Sequence, residues 1–208
     1  MIITKIEKQK KDKNRSSVFL DEKFSFGIDD FDLFKLKLKV GMEISNRDLK
    51  EIKETVLFSS AKEYATRLVS RFNYTKKGMN DKLRTRGYDE EIIAKTLEFL
   101  EHYNFLNDFD YAKCFINDAL NIKNIGLQKI RYELIQKGIG IDIIDNALSE
   151  YDIDLMEEKN ILPLAKKKLN GNFEYKNIIK VKRYLFSKGF SFELIDKTIN
   201  NILNGEGE

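Results

Sequence analysis

The chain begins in a pattern of period two and changes to one of period three to four. Residues 2–9, IITKIEKQ, alternate apolar and polar, and a charged turn, KKDKNR, follows. In SVFLDEKFSFGI, Val18, Leu20, Phe24 and Phe26 flank the polar pair Asp21-Glu22. Aromatic and β-branched residues bent at a short polar pair predict a β-hairpin. Asp-Glu is not a favoured pair for the primed two-residue turns, so the turn type stays open. Over 29–44 the pattern is mixed: a helical turn is expected near 30–34, then an extended stretch ended by Gly41. Ser45 opens a helix as N-cap, with Asp48 at its third position, and that helix is expected to reach about Phe58.

From Ser60 to Asn204 the apolar spacing is helical throughout. Three stretches repeat: 82–100 (KLRTRGYDEEIIAKTLEFL), 133–151 (ELIQKGIGIDIIDNALSEY) and 184–202 (YLFSKGFSFELIDKTINNI). Each starts 51 residues after the one before. Gly87, Gly138 and Gly189 keep that period, as do Leu83, Leu134 and Leu185, and a basic residue (Arg86, Lys137, Lys188) precedes each glycine. Such self-similarity marks a repeat architecture. Each glycine reads as a helix stop at C′, where left-handed geometry costs glycine little. Thr75, Asp89 and Ser191 are expected N-caps, while Gly140 leaves its helix without a strong one. The chain therefore divides into an N-terminal β-hairpin-plus-helix extension (1–58) and three-helix repeats at 59–106, 107–154 and 155–208, stacked in an elongated array. The tail after Leu203 is expected to fray.

Composition narrows the class. Of the 208 residues 42% are hydrophobic, enough for a core, and 34% are charged. The net charge is only +3 and is uneven: +2 over 1–60, +2 over 61–107, −4 over 108–154 and +3 over 155–208. A purely non-specific DNA binder shows a stronger basic balance. An acidic centre between basic ends fits a mixed nucleoprotein partner, and it fits an ordinary solvated surface too. No apolar run suggests secretion or membrane insertion, so the cytoplasm is the expected compartment. The single proline, Pro163, forces few helix breaks.

The search for chemistry finds no enzyme constellation. His102 is the only histidine and Cys114 the only cysteine, and no phosphate-binding glycine loop occurs. Cys114, beside Phe115, reads as a small core residue. Asp108 and Asp110 read as helix N-terminal acids rather than metal ligands. No catalytic residue, metal or cofactor is expected. The candidates that remain are cations before each glycine: Lys82, Arg84 and Arg86; Lys129, Arg131 and Lys137; Lys180, Lys182, Arg183 and Lys188. Helical spacing pairs Lys82 with Arg86 and Lys180 with Arg183 for phosphate or carboxylate. Complementing the helix dipole explains Arg86, Lys137 and Lys188 equally well. Tyr88, Ile139 and Phe190, next to the glycines, read as seals of helix packing rather than base readers.

The ordered set KLRTRGYDEEII, FLNDFDYAKCFI with KIRYELIQKGI, and KVKRYLFSKGF resembles the RecX family, bacterial regulators of the RecA recombinase. The resemblance covers about residues 60–203, and the leader ITKIEKQ…VFLDEKFSF is similar to the N-terminal extension of such proteins from low-GC Gram-positive bacteria. It implies a mainly α fold of three tandem three-helix repeats in a curved, elongated array. It implies a monomer whose partner is the RecA filament on single-stranded DNA, with weaker, non-specific contact to single- and double-stranded DNA. Regulation would mean suppressed ATP hydrolysis and strand exchange, with filament extension blocked or disassembly promoted, and no catalysis. A DNA-binding helical-repeat module acting without RecA is the alternative. One departure is the segment NDALNIKNIG, where Ala119, Asn121 and a lone Lys123 replace the family's more basic loop, so a groove contact there would be weaker or differently made.

Overall fold

The computed structural model describes residues 1–10 and 12–205, and in it the period-two leader makes three strands rather than a hairpin alone. β1 (Ile3–Lys8), β2 (Arg15–Leu20) and β3 (Lys23–Asp29) form an antiparallel sheet in the order β1-β2-β3. The expected hairpin is β2–β3, and the alternating residues 2–9 supply a strand along its other side. Lys11, in the charged turn before β2, lies outside the described residues. Asp21 and Glu22 take φ of 46° and 68°, the left-handed geometry that a type I′ turn requires at both positions. The turn lacks glycine but gains partners from the neighbouring strand. The Asp21 carboxylate accepts the Ile2 N–H, and Thr4 Oγ1 accepts the Glu22 N–H, each at 2.9 Å.

A short helix, α1 (Asp30–Lys35), follows, and residues 36–44 run irregularly with one isolated bridge, Ile2 to Glu43. Ser45 forms the expected capping box with Asp48. The helix it opens does not stop at Phe58. α2 (Asn46–Glu51), a π-helical turn (Ile52–Leu57) and α3 (Phe58–Val69) run on without a break. Ile52 and Leu57 are both buried though five residues apart, and the wider π turn keeps both on the inner side where a regular helix would rotate one away.

The rest is α4 (Lys76–Thr85), α5 (Glu90–His102), α6 (Asp108–Asn121), α7 (Leu127–Gln136), α8 (Ile141–Leu148), α9 (Ile153–Leu169), α10 (Tyr175–Ser187) and α11 (Phe192–Leu203). Thr75, Asp89 and Ser191 each accept an N–H from the first turn of their helix. Gly140 caps α8 with no side-chain bond. Gly87, Gly138 and Gly189 have φ of 86°, 85° and 95°, as their C′ role demands. Tyr88, Ile139 and Phe190 are buried. Pro163 lies within α9 without ending it. Cys114 is exposed, contrary to its expected core role: Ala112, Phe115, Ile116 and Ala119 hold the inner face of α6, and Cys114 falls outside that stripe. The tail beyond Gly205 lies outside the described residues.

The chain forms two compact units, residues 1–107 and 108–208. In the first, Ile3, Val18, Phe26 and Ile28 of the sheet share a core with Leu57, Ala61, Met79, Leu83 and Ile92 of the helices. A polar network crosses the same boundary. The wholly buried Arg15 donates to Asp29 at 2.8 Å, to the Gly27 carbonyl at 2.9 Å and to the Tyr88 hydroxyl at 3.2 Å, and Ser60 donates to Asp29 at 2.6 Å. In the second unit α6–α8 and α9–α11 each enclose an apolar cluster. They join where the loop before α7 meets the turn after α10. Gly126 N–H donates to the Lys188 carbonyl at 2.9 Å, and Gln128 N–H to the Gly189 carbonyl at 3.1 Å. The buried Glu157 of α9 accepts the Leu127 N–H at 2.7 Å, doing for α7 what Gly126 cannot. The first unit uses the corresponding carbonyls: Gly27 N–H donates to Gly87 at 2.9 Å and Gln9 Nε2 to Arg86 at 3.3 Å.

Candidate partner-binding surfaces

The cations singled out by the repeat have different surroundings in each copy. Beside the first glycine, Lys82 is exposed on α4 and Arg84 forms a 2.8 Å ion pair with Glu90. Arg86 turns away from both. Its guanidinium reaches Asp12 at 2.9 Å and Asp29 at 3.2 Å and lies 4.2 Å from the Tyr64 ring centre. Lys82 and Arg86 therefore do not form one outward patch, although their spacing on a helix would allow it. Burial works against the charge on Arg86, yet Tyr88 and Asp29 raise its pKa above the ordinary value. Burial likewise pushes the Asp29 carboxyl up, but the Ser60 hydrogen bond and the Arg15 and Arg86 guanidiniums outweigh it and hold the group below its ordinary 3.8. The pair is an internal tie between sheet and repeat.

In the second unit most cations are also engaged. Lys129 Nζ lies 3.4 Å from the Ser187 carbonyl, spanning from α7 to α10. Arg131 pairs with Asp145 across α7 and α8. Lys182 pairs with Asp196 at 2.8 Å across α10 and α11. Lys137 sits over the Tyr111 and Phe115 rings, and Lys188 over Tyr184. Lys180 and Arg183, three apart on α10, are exposed and have no ion pair or hydrogen bond among the described residues. A free cation pair of this kind presents its charge to a partner undiminished, since no intramolecular carboxylate must first be displaced.

The surface also carries an apolar feature that the charge pattern does not mark. At the helix–helix edge after each glycine turn, equivalent positions hold Arg84 and Glu90, then Ile135 and Ile141, then Phe186 and Phe192. The first pair is ionic, and the last is stacked with ring centres 4.5 Å apart. Ile135 and Ile141 are 46% and 62% exposed, and Phe186 and Phe192 44% and 64%. Their signal was the 51-residue register itself, read at outward positions instead of inward ones.

Comparison with known proteins gives one family throughout. Residues 1–45 match the RecX regulatory protein N-terminal domain, 61–100 the first RecX three-helix domain and 107–148 the second. A protein of Clostridium beijerinckii named "Regulatory protein RecX" is 40% identical, covering 97% of this chain and 95% of its own. One of the same name from Clostridium botulinum (strain Alaska E43) is 39% identical, with 98% and 97% covered. A crystal structure described as regulatory protein RecX superposes with a TM-score of 0.67 at 27% identity, covering 96% of this chain and 98% of that one. The crystal structure of RecX from Lactobacillus salivarius gives 0.63 at 29% identity over 69% of this chain and 95% of its own.

Proposed function

This chain belongs to the RecX family, and from that premise we propose that it regulates homologous recombination by binding the RecA–single-stranded DNA filament, mainly as an inhibitor. The carrying observation is the likeness to proteins named as RecX regulators over nearly the whole length of both chains. Surface chemistry supports a binding role. Among the candidate cations Arg86, Arg131 and Lys182 are paired internally, whereas Lys82, Lys180 and Arg183 are exposed and offer their charge to a partner. Binding across neighbouring RecA protomers favours one inter-protomer geometry. ATP hydrolysis, extension and strand exchange then change because the population of filament states shifts, without any bond being made or broken by the regulator. Contact with single- and double-stranded DNA is weaker and non-specific in this reading. The protein acts as a monomer in the cytoplasm.

The test is RecA ATPase on single-stranded DNA, titrated with the full chain. A dose-dependent fall at sub-stoichiometric to equimolar ratios is the expected result. Unchanged hydrolysis, together with tight binding to naked DNA that falls steeply with salt, would make the chain an independent DNA binder and end the regulator reading.

A further inference from the structure

The equivalent edges after the glycine turns carry more than the basic residues do. In the first repeat the edge positions hold the Arg84–Glu90 ion pair. The fold thus accepts full charge there, and packing does not demand the apolar pairs of the other copies. Ile135 with Ile141 and Phe186 with Phe192 nonetheless place four large apolar side chains in water, each about half exposed. Surface aromatic and aliphatic groups clustered this way, with a polar rim around them, are the usual anchors of a protein interface.

The rim is repeated too. One helical turn from each apolar pair stands a cross-helix ion pair, Arg131 with Asp145 and Lys182 with Asp196, again 51 residues apart. The residue after each second apolar position is acidic, Asp142 and Glu193, in the same register. Arg131 and Lys182 are already paired with carboxylates, and an acidic residue follows each second apolar position, so the pairs themselves offer apolar contact rather than an anion site. An apolar pocket on a protein partner matches such a surface. Both edges lie in one compact unit and repeat the same arrangement, which suits a partner offering the same pocket twice.

We infer that the α7/α8 edge and the α10/α11 edge form a two-point docking surface for two successive, identical subunits of a protein filament. This rests on the filament reading above and adds the residues that make the contact. Two linked sites bind as one, because engagement of the first raises the effective concentration of the second. Losing either pair should then remove most of the affinity.

The experiment immobilises RecA filaments on single-stranded DNA and measures binding of the full chain and three variants: Ile135→Ser with Ile141→Ser, Phe186→Ser with Phe192→Ser, and all four together. Arg84→Ser with Glu90→Ser, at the first repeat's edge, is the control. All these positions are exposed, and circular dichroism checks that the fold is kept. Each apolar pair should cost roughly tenfold or more in affinity, and the fourfold variant should bind too weakly to measure, with the control within about twofold of the parent. If the parent binds and the fourfold variant binds equally well, the docking surface is wrong while the filament reading stands. If the fourfold variant loses affinity for naked single-stranded DNA to the same degree, the occupant is nucleic acid and the proposal is overturned. A parent chain that does not bind the filament removes both readings.

Discussion

Replacing Gly126 by alanine separates a packing constraint from a conformational one. Gly126 has φ of −81°, which alanine adopts freely, so backbone strain is not at issue. Space is: a Cβ built there would meet Gly189 C at 2.5 Å and Phe190 N at 2.6 Å, with the Gly189 carbonyl oxygen closer still. These are backbone atoms and cannot rotate aside. Relief requires the loop and the turn to part by about 1 Å, since carbon contacts settle near 3.5 Å. That movement weakens the Gly126-to-Lys188 and Gln128-to-Gly189 bonds, each worth about 1 kcal/mol, and overpacking adds about 1–3 kcal/mol. The stiffer unfolded chain returns about 0.4–1 kcal/mol. The net expectation is about 2–4 kcal/mol of destabilisation. Gly140→Ala is a matched control: it too is an N-cap glycine with negative φ in the same unit, but its Cβ would meet only the mobile Asp142 carboxylate. The assay is urea unfolding followed by circular dichroism, with hydrogen exchange of the α7 and α10 amides to assign the loss to the second unit. A midpoint shift for Gly126→Ala no larger than that of Gly140→Ala would refute the packing argument.

Four further outcomes follow from the same contacts. Lys180→Glu with Arg183→Glu should weaken inhibition of RecA ATPase by about tenfold at low salt and leave helicity unchanged; equal inhibition would remove these cations from the contact surface. Asp29, held below 3.8, stabilises the fold above that pH and loses its contribution as pH falls through its lower folded value. Asp29→Asn should therefore flatten the acid limb of a stability–pH curve and cost about 3 kcal/mol at neutral pH by leaving Arg15 buried without its carboxylate. Glu157 is pushed up by burial, so its contribution is full below 4.5 and is lost as pH rises through the folded value. Glu157→Gln should abolish that decline, since its oxygen still accepts the Leu127 N–H, whereas Glu157→Leu should cost about 1–3 kcal/mol at every pH in urea titrations. Gly27→Ala is milder than Gly126→Ala: its Cβ meets the movable Gln9 amide at 2.6 Å and the Arg86 and Gly87 oxygens only at 3.1 and 3.2 Å, and Gln9→Ala should relieve part of the loss.

The parts of this fold legible in the chain are those decided within a turn or two of sequence. Glycine stops, serine, threonine and aspartate caps, and the buried Tyr88, Ile139 and Phe190 depend on neighbours a few residues away, and a period repeated three times exposes them. Arg86 shows the limit. Its local sequence matches Lys137 and Lys188, but its partner Asp12 lies 74 residues earlier and only the tertiary fold brings them together. The π turn was hidden for another reason: a five-residue spacing between Ile52 and Leu57 looks like the end of one stripe and the start of another. Strand β1 is visible as alternation, but nothing local pairs it with β2. Cys114 sits one position from the buried Phe115 yet faces outward, because one step around a helix is enough to leave the inner stripe. The outward apolar pairs carry no charge signature, and their equivalence across copies is evident only once the outer face of each unit is known.

The reuse of one set of carbonyls explains what the N-terminal sheet is for. In the second unit the turn at Lys188-Gly189 receives two N–H groups from the repeat before it. The first repeat has no such predecessor in this chain, yet Arg86 and Gly87 offer the same two acceptors and the sheet satisfies them through Gln9 and Gly27. The third repeat buries this turn against the second, and in the first unit the same surface of the first repeat needs another element to cover it. The sheet does this and brings Asp12 and Asp29 with it, which turns the cation before the first glycine inward, while its counterparts Lys137 and Lys188 rest on aromatic rings. The same local motif therefore serves as a structural tie in one copy and as surface in the others. Partner recognition by a repeated chain must then be sought position by position, at residues whose neighbours leave them free, and among the described residues those include Lys82, Lys180, Arg183 and the two apolar edges of the second unit.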